Sequence, residues 1–247
     1  MLLGVVEGIT EFLPVSSTGH LLIAEHWLGA RSDMFNVAIQ VGAILAVLVV
    51  YRRRLLDLDL FSAEQRAYVA KLAVSFVITV VGGLIAKKLG LRLPASVAPV
   101  AWAMIVGGVA ILAIERRAAH LPPSDEITWR IAVWVGLAQV LAAVFPGTSR
   151  SAATIFAAIL AGCTLRPAAT EFAFLLGIPT MFAATAYELV KAPPAQESAG
   201  ELALGFVVSG LVGFAVVQWL LRYIQTHRFT VFAWYRIVAG AALLLFL

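Results

Sequence analysis

Two of the chain's apolar runs are too short to cross a bilayer, and each is broken at its centre. Residues 2–13 and 18–28 are apolar but fall below the ~17-residue lower limit for a spanning helix. Pro14 and the turn Val15-Ser16-Ser17-Thr18-Gly19 separate them. They read as two half-helices, a re-entrant hairpin over 2–28. Residues 127–145 and 152–163 repeat the arrangement around Pro146-Gly147, a second hairpin over 127–163. The other apolar segments, 35–51, 68–86, 97–114, 168–190, 202–221 and 231–247, are long enough to span. With 62% hydrophobic and 13% charged residues, against about 25% charged in soluble domains, the expectation is an all-α polytopic membrane protein.

Residues 115–126 hold two prolines and five formal charges, the best internal boundary. The pattern restarts after it. Gly4-x-x-Glu7-x6-Pro14-x-x-Ser17 aligns with Gly136-x-x-Gln139-x6-Pro146-x-x-Ser149 at an offset of 132. We therefore expect one membrane domain, 1–247, made of a first repeat, 1–114, and a second, 127–247. Each has three spanning helices and a hairpin that returns to its own side. Three is odd, so the second repeat enters from the opposite face. The fold class is then an inverted repeat with six spanning helices and two re-entrant helical hairpins, whose breaks meet near the midplane as in transporter sites.

Loop cations set the orientation. Arg52, Arg53, Arg54, Arg66, Lys71, Arg116, Arg117, Arg130, Arg166, Arg222 and Arg228 fall on one side, and Arg31, Lys87, Lys88, Arg92 and Lys191 on the other. The richer side is expected to be cytoplasmic, with both termini and the first hairpin outside. The net charge of +4 is spread over short loops without a basic, aromatic-laced stripe, so no nucleic-acid partner is expected. The single cysteine, Cys163, excludes an intrachain disulfide. The start lacks the basic region of a signal peptide, and because the chain begins almost inside its first motif, residues upstream are expected to have been trimmed.

Chemistry is concentrated at the breaks. Glu7 and Glu11 are i, i+4 and share a helix face. Carboxylates within a membrane cost ~2.5–3.5 kcal/mol each and are functional by default. Side by side they suit a divalent metal, Mg²⁺ or Ca²⁺; the plain alternative is an interfacial helix. Ser16, Ser17 and Thr18 follow Pro14 at a helix start, where free N–H groups favour an anion. His20 lies one turn beyond Ser17, a spacing for an acid/base partner or for simple capping. The second break, Pro146-Gly147-Thr148-Ser149-Arg150-Ser151-Ala152-Ala153-Thr154, adds hydroxyls and a guanidinium suited to phosphate. A diphosphate bridged by a cation would satisfy the whole set. Glu171 and Arg236 are expected to pair, or Arg236 to reach the site. Gln40 reads as a helix–helix hydrogen bond, Trp129, Trp134, Trp219 and Trp234 as interface anchors, and Gly82-Gly83 and Gly107-Gly108 as close helix packing.

EGITEFLPVSSTGH (Glu7–His20) and PGTSRSAAT (Pro146–Thr154) resemble the bacterial undecaprenyl-diphosphate phosphatases of the bacitracin-resistance type. The likeness extends to FNVAIQVGAILAV (Phe35–Val47), TEFAFLLGIPTMF (Thr170–Phe182) and HRFTVFAWYRI (His227–Ile237), so it covers essentially the whole chain. It implies metal-dependent hydrolysis of the C55 carrier diphosphate to the monophosphate for peptidoglycan synthesis, in the cytoplasmic membrane with the site facing outward. By matching positions it implies metal binding and catalysis by Glu7 and Glu11, the chemical step by Ser17 and His20, and diphosphate binding by Ser149, Arg150 and Thr154. From their place at the two helix starts, Ser16, Thr18 and Ser151 are expected to add phosphate-binding hydroxyls, and Arg150 to be catalytic by stabilising the transferred charge. Its partners are the polyprenyl diphosphate and the bilayer; a homodimer is left open. Ala152 stands where the family has Gly, and the family's spacing from Gln139 to the Pro-Gly is one residue shorter. A haloperoxidase-like lipid phosphatase is not supported, because Phe156 occupies the place of its second-motif His. A polyprenyl-phosphate flippase using the same site is the rival reading.

Overall fold

A computed structural model describes residues 1–57, 59, 61–91, 96–191 and 197–246. Arg92 and Leu247, used above for loop charge and for the last segment, lie outside the described residues. The order is α1 (Leu2–Thr10), α2 (Ser17–Leu28), α3 (Asp33–Val50), α4 (Arg52–Leu56), α5 (Ala63–Lys88), α6 (Val97–Ala118), α7 (Trp129–Val144), α8 (Arg150–Ala161), α9 (Arg166–Lys191), α10 (Ala199–Tyr223) and α11 (Thr230–Phe246), with no strand among the described residues. Both short paired runs are helix–turn–helix units. The stretch between the first two spans, polar enough to suggest a loop, holds the one-turn α4 and the first residues of α5.

Helix starts follow the placement of hydroxyls. Ser16, Ser32, Ser62, Ser96, Thr128, Ser149 and Ser198 are the N-caps of α2, α3, α5, α6, α7, α8 and α10. At α2, α3, α7, α8 and α10 the hydroxyl oxygen accepts from one of the N–H groups that a helix start leaves unpaired, which matters most where water is scarce. Ser198 and Glu201 add a reciprocal capping box.

Helices α3, α5, α6, α9 and α10 are long and apolar enough to cross a membrane, which marks an integral membrane protein. Helix α11, with 17 residues, is at the lower limit for spanning. Outward faces are apolar: Val77, Val81 and Leu84 on α5, Val106 and Val109 on α6, Leu204, Val207 and Leu211 on α10, and Val231 and Val238 on α11 are exposed. Trp129, Trp134, Trp219 and Trp234 are half exposed, as suits interface anchors.

Contacts exchange the halves. Helix α1 packs on α10 and α7 on α5; α3 packs on α10 and α9 on α5; α3 meets α9 and α6 meets α11. Small residues permit the close approaches. A Cβ on Gly4 would lie 2.7 Å from the Gly205 carbonyl oxygen, and one on Gly8 2.7 Å from that of Ser209. Without water to drive helices together, such contact is the main attraction. Gly82 and Gly108 face neighbouring helices as expected, but Gly83 faces open space.

The largest apolar cluster is centred on α8 and α9, with Ile155, Phe172 and Leu176 fully buried. It lies behind the second break. At the opposite end, Glu115 of α6 is 1% exposed and accepts from Arg166 Nε at 2.9 Å, Arg166 Nη2 at 2.5 Å and the Phe229 amide at 3.0 Å. That buried pair joins α6, α9 and the entry to α11. Loop charge alone places Arg166 among the exposed cations and gives no sign of Glu115 as its partner.

Candidate active site

Glu11 is the C-cap of α1 and keeps helical backbone angles, its amide donating to the Glu7 carbonyl at 2.9 Å. Glu7 and Glu11 are therefore one turn apart, as their spacing requires. The chain then turns through Pro14 and restarts at Ser17. At the second break it leaves α7 at Val144 and restarts at Arg150. The caps, Ser16 and Ser149, both have positive φ, 78° and 68°. Such angles are uncommon outside glycine and cost of order 1–3 kcal/mol. Each cap accepts from the amide three residues on, Gly19 and Ala152, at 3.3 Å in both cases.

This symmetry corrects the register of the repeat. The helix starts differ by 133, not 132, because the second turn has one extra residue between its proline and its cap. Ser149 is the counterpart of Ser16, and Arg150 is the counterpart of Ser17. Both first-turn residues address the same carboxylate. Ser17 Oγ donates to Glu11 Oε2 at 2.7 Å, and Arg150 Nη2 donates to Glu11 Oε1 at 3.1 Å. Glu11, Ser16, Ser17, Thr18, Ser149 and Arg150 all line one polar cavity of about 250 Å³, with Gln139 and Gln40 on its other walls.

The remaining site expectations fall differently. His20 does not bond Ser17. Its Nδ1 lies 2.7 Å from the Ser16 carbonyl oxygen, and its Nε2 lies 2.5 Å from the Tyr235 hydroxyl. A carbonyl only accepts, so Nδ1 carries the hydrogen, and Nε2 is left to accept from Tyr235. Ser151 and Thr154 are buried and absent from the cavity wall. Ser151 donates to the Leu13 carbonyl at 3.0 Å, tying the two breaks together, and Thr154 donates to the Arg150 carbonyl at 2.9 Å. Short side chains on the buried face of α8 reach backbone more readily than the cavity. Glu7 is 2% exposed and does not line the cavity; its Oε2 has no partner among the described residues.

Glu171 and Arg236 do not pair. Glu171 takes Arg54 at 3.1 Å, and Arg236 is fully buried on backbone carbonyls. Gln40 does form the interhelical bond expected of it, accepting from Thr185 at 3.1 Å. Sequence reading missed Gly177. A Cβ there would lie 2.2 Å from Arg150 Nη1, so the guanidinium passes over α9 only because the position has no side chain. Pro179 two residues later, inside α9, is the visible sign of an irregular helix at this level. Tyr235 carries no signal beyond its place in an apolar span.

A family model described as Bacitracin resistance protein BacA matches residues 1–242. An undecaprenyl-diphosphatase of Rhizobium etli is 59% identical over 249 residues, 98% of this chain and 94% of that protein. An undecaprenyl-diphosphatase of Xanthomonas oryzae pv. oryzae is 55% identical over 253 residues, 100% of this chain and 96% of that protein.

Proposed function

The chain belongs to the bacitracin resistance protein BacA family, and from that membership we infer that it is an undecaprenyl-diphosphatase, releasing phosphate from the lipid carrier diphosphate. The observation that carries a mechanism is the sharing of Glu11 between Ser17 and Arg150, at 2.7 and 3.1 Å. A carboxylate that accepts from a hydroxyl is placed to take its proton. Ser17 is the nucleophile in this reading, and Glu11 is its base. Ser17 Oγ bonds to the terminal phosphorus as the bond from that phosphorus to the bridging oxygen breaks. The lipid monophosphate leaves with that oxygen, and water later hydrolyses the phosphoserine. Arg150 and the unpaired amides at the starts of α2 and α8 face the charge that spreads over the transferred group, where such catalysts act most strongly.

The donor set suits a cation that arrives with its substrate. Glu7 Oε2 is buried without a partner among the described residues, and an orphaned carboxylate oxygen in an apolar setting favours a nearby cation. Among the described residues no three acidic, His or Cys side chains gather, so Glu7 and Glu11 are the carboxylates on offer. One or two carboxylates with substrate phosphates is the pattern of Mg²⁺. Glu7 and Glu11 would hold it, and when bound it would neutralise diphosphate charge.

The tail has a place. A second cavity of about 1160 Å³ between α6, α7 and α8 is lined by Trp102, Val106, Trp134, Leu137, Phe156 and Leu160, and reaches Thr148. Thr148 lies between Gly147 and Ser149 of the polar cavity. The two hairpins are read as re-entrant from opposite faces, in line with the exchanged helix contacts. Arginines in α4, at the ends of α6 and α10 and at the starts of α7 and α9 support an orientation with the site toward the outside of the cytoplasmic membrane.

The test is phosphate release from C55 diphosphate by the purified protein in detergent with MgCl₂. Release that E11Q and R150A abolish is expected. Robust diphosphate binding with no release in any divalent metal would sink the reading in favour of a lipid-phosphate transporter.

A further inference from the structure

Arg236 is the largest fully buried side chain among the described residues, at 0% exposure, and it faces no carboxylate of theirs within ion-pair distance. Its guanidinium instead donates to four carbonyls. Nη1 bonds Pro14 O at 3.3 Å, Nη2 bonds Gly147 O and Ala103 O at 3.1 Å each, and Nε bonds Met104 O at 3.3 Å. Pro14 and Gly147 hold the same station: each is two residues before the strained cap of its break. Carbonyls there have left one helix and not joined the next, so they need outside donors. The neighbouring Tyr235 braces the first break again, through His20 to the Ser16 carbonyl. One turn of α11 thus touches both breaks, although none of its side chains lines the polar cavity.

We propose that Tyr235 and Arg236 are positioning residues that fix the spacing of the two breaks, and so hold Ser17 and Arg150 on the two oxygens of Glu11. Arg236 acts on both breaks. Tyr235 acts on the first alone, through His20, whose own role is to pin the Ser16 carbonyl. The planar fork is needed, because a single ammonium does not spread donors over two carbonyls on different segments. Gly107 leaves the space: a Cβ there would lie 2.3 Å from Arg236 Nη2.

The proposal rests on the phosphatase reading, and two kinds of measurement separate them. The first is turnover of C55 diphosphate in detergent with MgCl₂, with thermal unfolding alongside. Y235F should lower kcat by about tenfold with KM within about twofold, as displacement of a reacting group does. R236K and G107A should lower kcat by about 10²-fold. Asn at position 20 keeps an amide where Nδ1 stands, so H20N should retain at least about ten times the kcat of H20A, and Y235F should add nothing to H20A. Parent kcat in Y235F and R236K overturns the proposal. So does H20N as inactive as H20A with parent-like unfolding, because His20 would then act as acid or base. The second measurement needs no turnover. Spin labels replacing the exposed Trp27 and Leu160, at the ends of α2 and α8, report the spacing of the hairpins. R236K and G107A should broaden or shift a single narrow distance, and an unchanged distance overturns the proposal. A parent protein that releases no phosphate overturns the enzyme reading and leaves this distance test standing.

Discussion

At the first break the residue after the capping serine is Ser17, and at the second it is Arg150. The two positions are alike in three respects: a cap at positive φ, a side chain accepting three residues on, and a first helical residue aimed at Glu11. What differs is the group carried there, a hydroxyl on one side and a guanidinium on the other. Neither hairpin is a site by itself. On the proposed mechanism a symmetric pair of serines would leave transferred charge unmatched, and a symmetric pair of arginines would have nothing to attack with. The comparison teaches that, on the proposed mechanism, the two breaks supply matched geometry and the difference at one matched position supplies the nucleophile on one side and the cation on the other.

The strongest way to break that comparison is to remove either group. R150A is expected to lower kcat/KM by about 10³-fold or more, the range found for arginines that face a transferred phosphoryl group. S17A is expected to cost kcat about 10³-fold while inorganic pyrophosphate with Mg²⁺ still binds, measured by calorimetry. Near-normal turnover by S17A would move the attack to a water activated by Glu11 and reduce the first break to an anion cradle.

Next is the access that the second break needs and the first does not. Ser17 is short and reaches Glu11 without help. Arg150 must cross α9, and Gly177 is where it crosses. G177A should lower kcat by about 10²-fold, the penalty for a displacement of about 1 Å, and should leave the Ser17–Glu11 contact alone. The melting temperature distinguishes misplacement from unfolding: a change of more than a few degrees would mean that α9 repacks instead.

Much of this is legible in the sequence because apolar length and proline placement are one-dimensional signals. The two short paired runs and the carboxylates one turn apart both rest on spacing along one chain. The match between the two breaks comes out one residue off past the prolines, because matching prolines hide an extra residue in a turn, and turns do not show their length in hydropathy. Helical spacing gives His20 to Ser17, whereas its partner Tyr235 is 215 residues away. Arg236 stands out as costly in a span, which points to a carboxylate partner. Backbone carbonyls of the two breaks and of α6, which satisfy it here, have no letter in the sequence. Ser151 and Thr154 match a motif correctly, but which face of α8 they occupy follows from where the helix starts.

The smallest expected effect tests whether the caps are as alike as they look. At ordinary φ, loss of the cap hydroxyl costs ~1 kcal/mol when Ala replaces the serine and a few tenths when Gly does. At positive φ, Ala also keeps the strain that Gly relieves. S16G and S149G should therefore unfold at higher temperature than S16A and S149A, and the margin should be similar at both breaks. The alanine variants themselves should not be equal. Ser149 Oγ lies 3.0 Å from Ser151 Oγ, which in turn donates to the Leu13 carbonyl, so S149A also loosens a contact between the hairpins that S16A leaves intact. Equal losses would mean that the tie through Ser151 holds without its serine neighbour. A margin of Gly over Ala at either site no larger than that of an ordinary cap would mean that the cap there does not hold positive φ in the membrane.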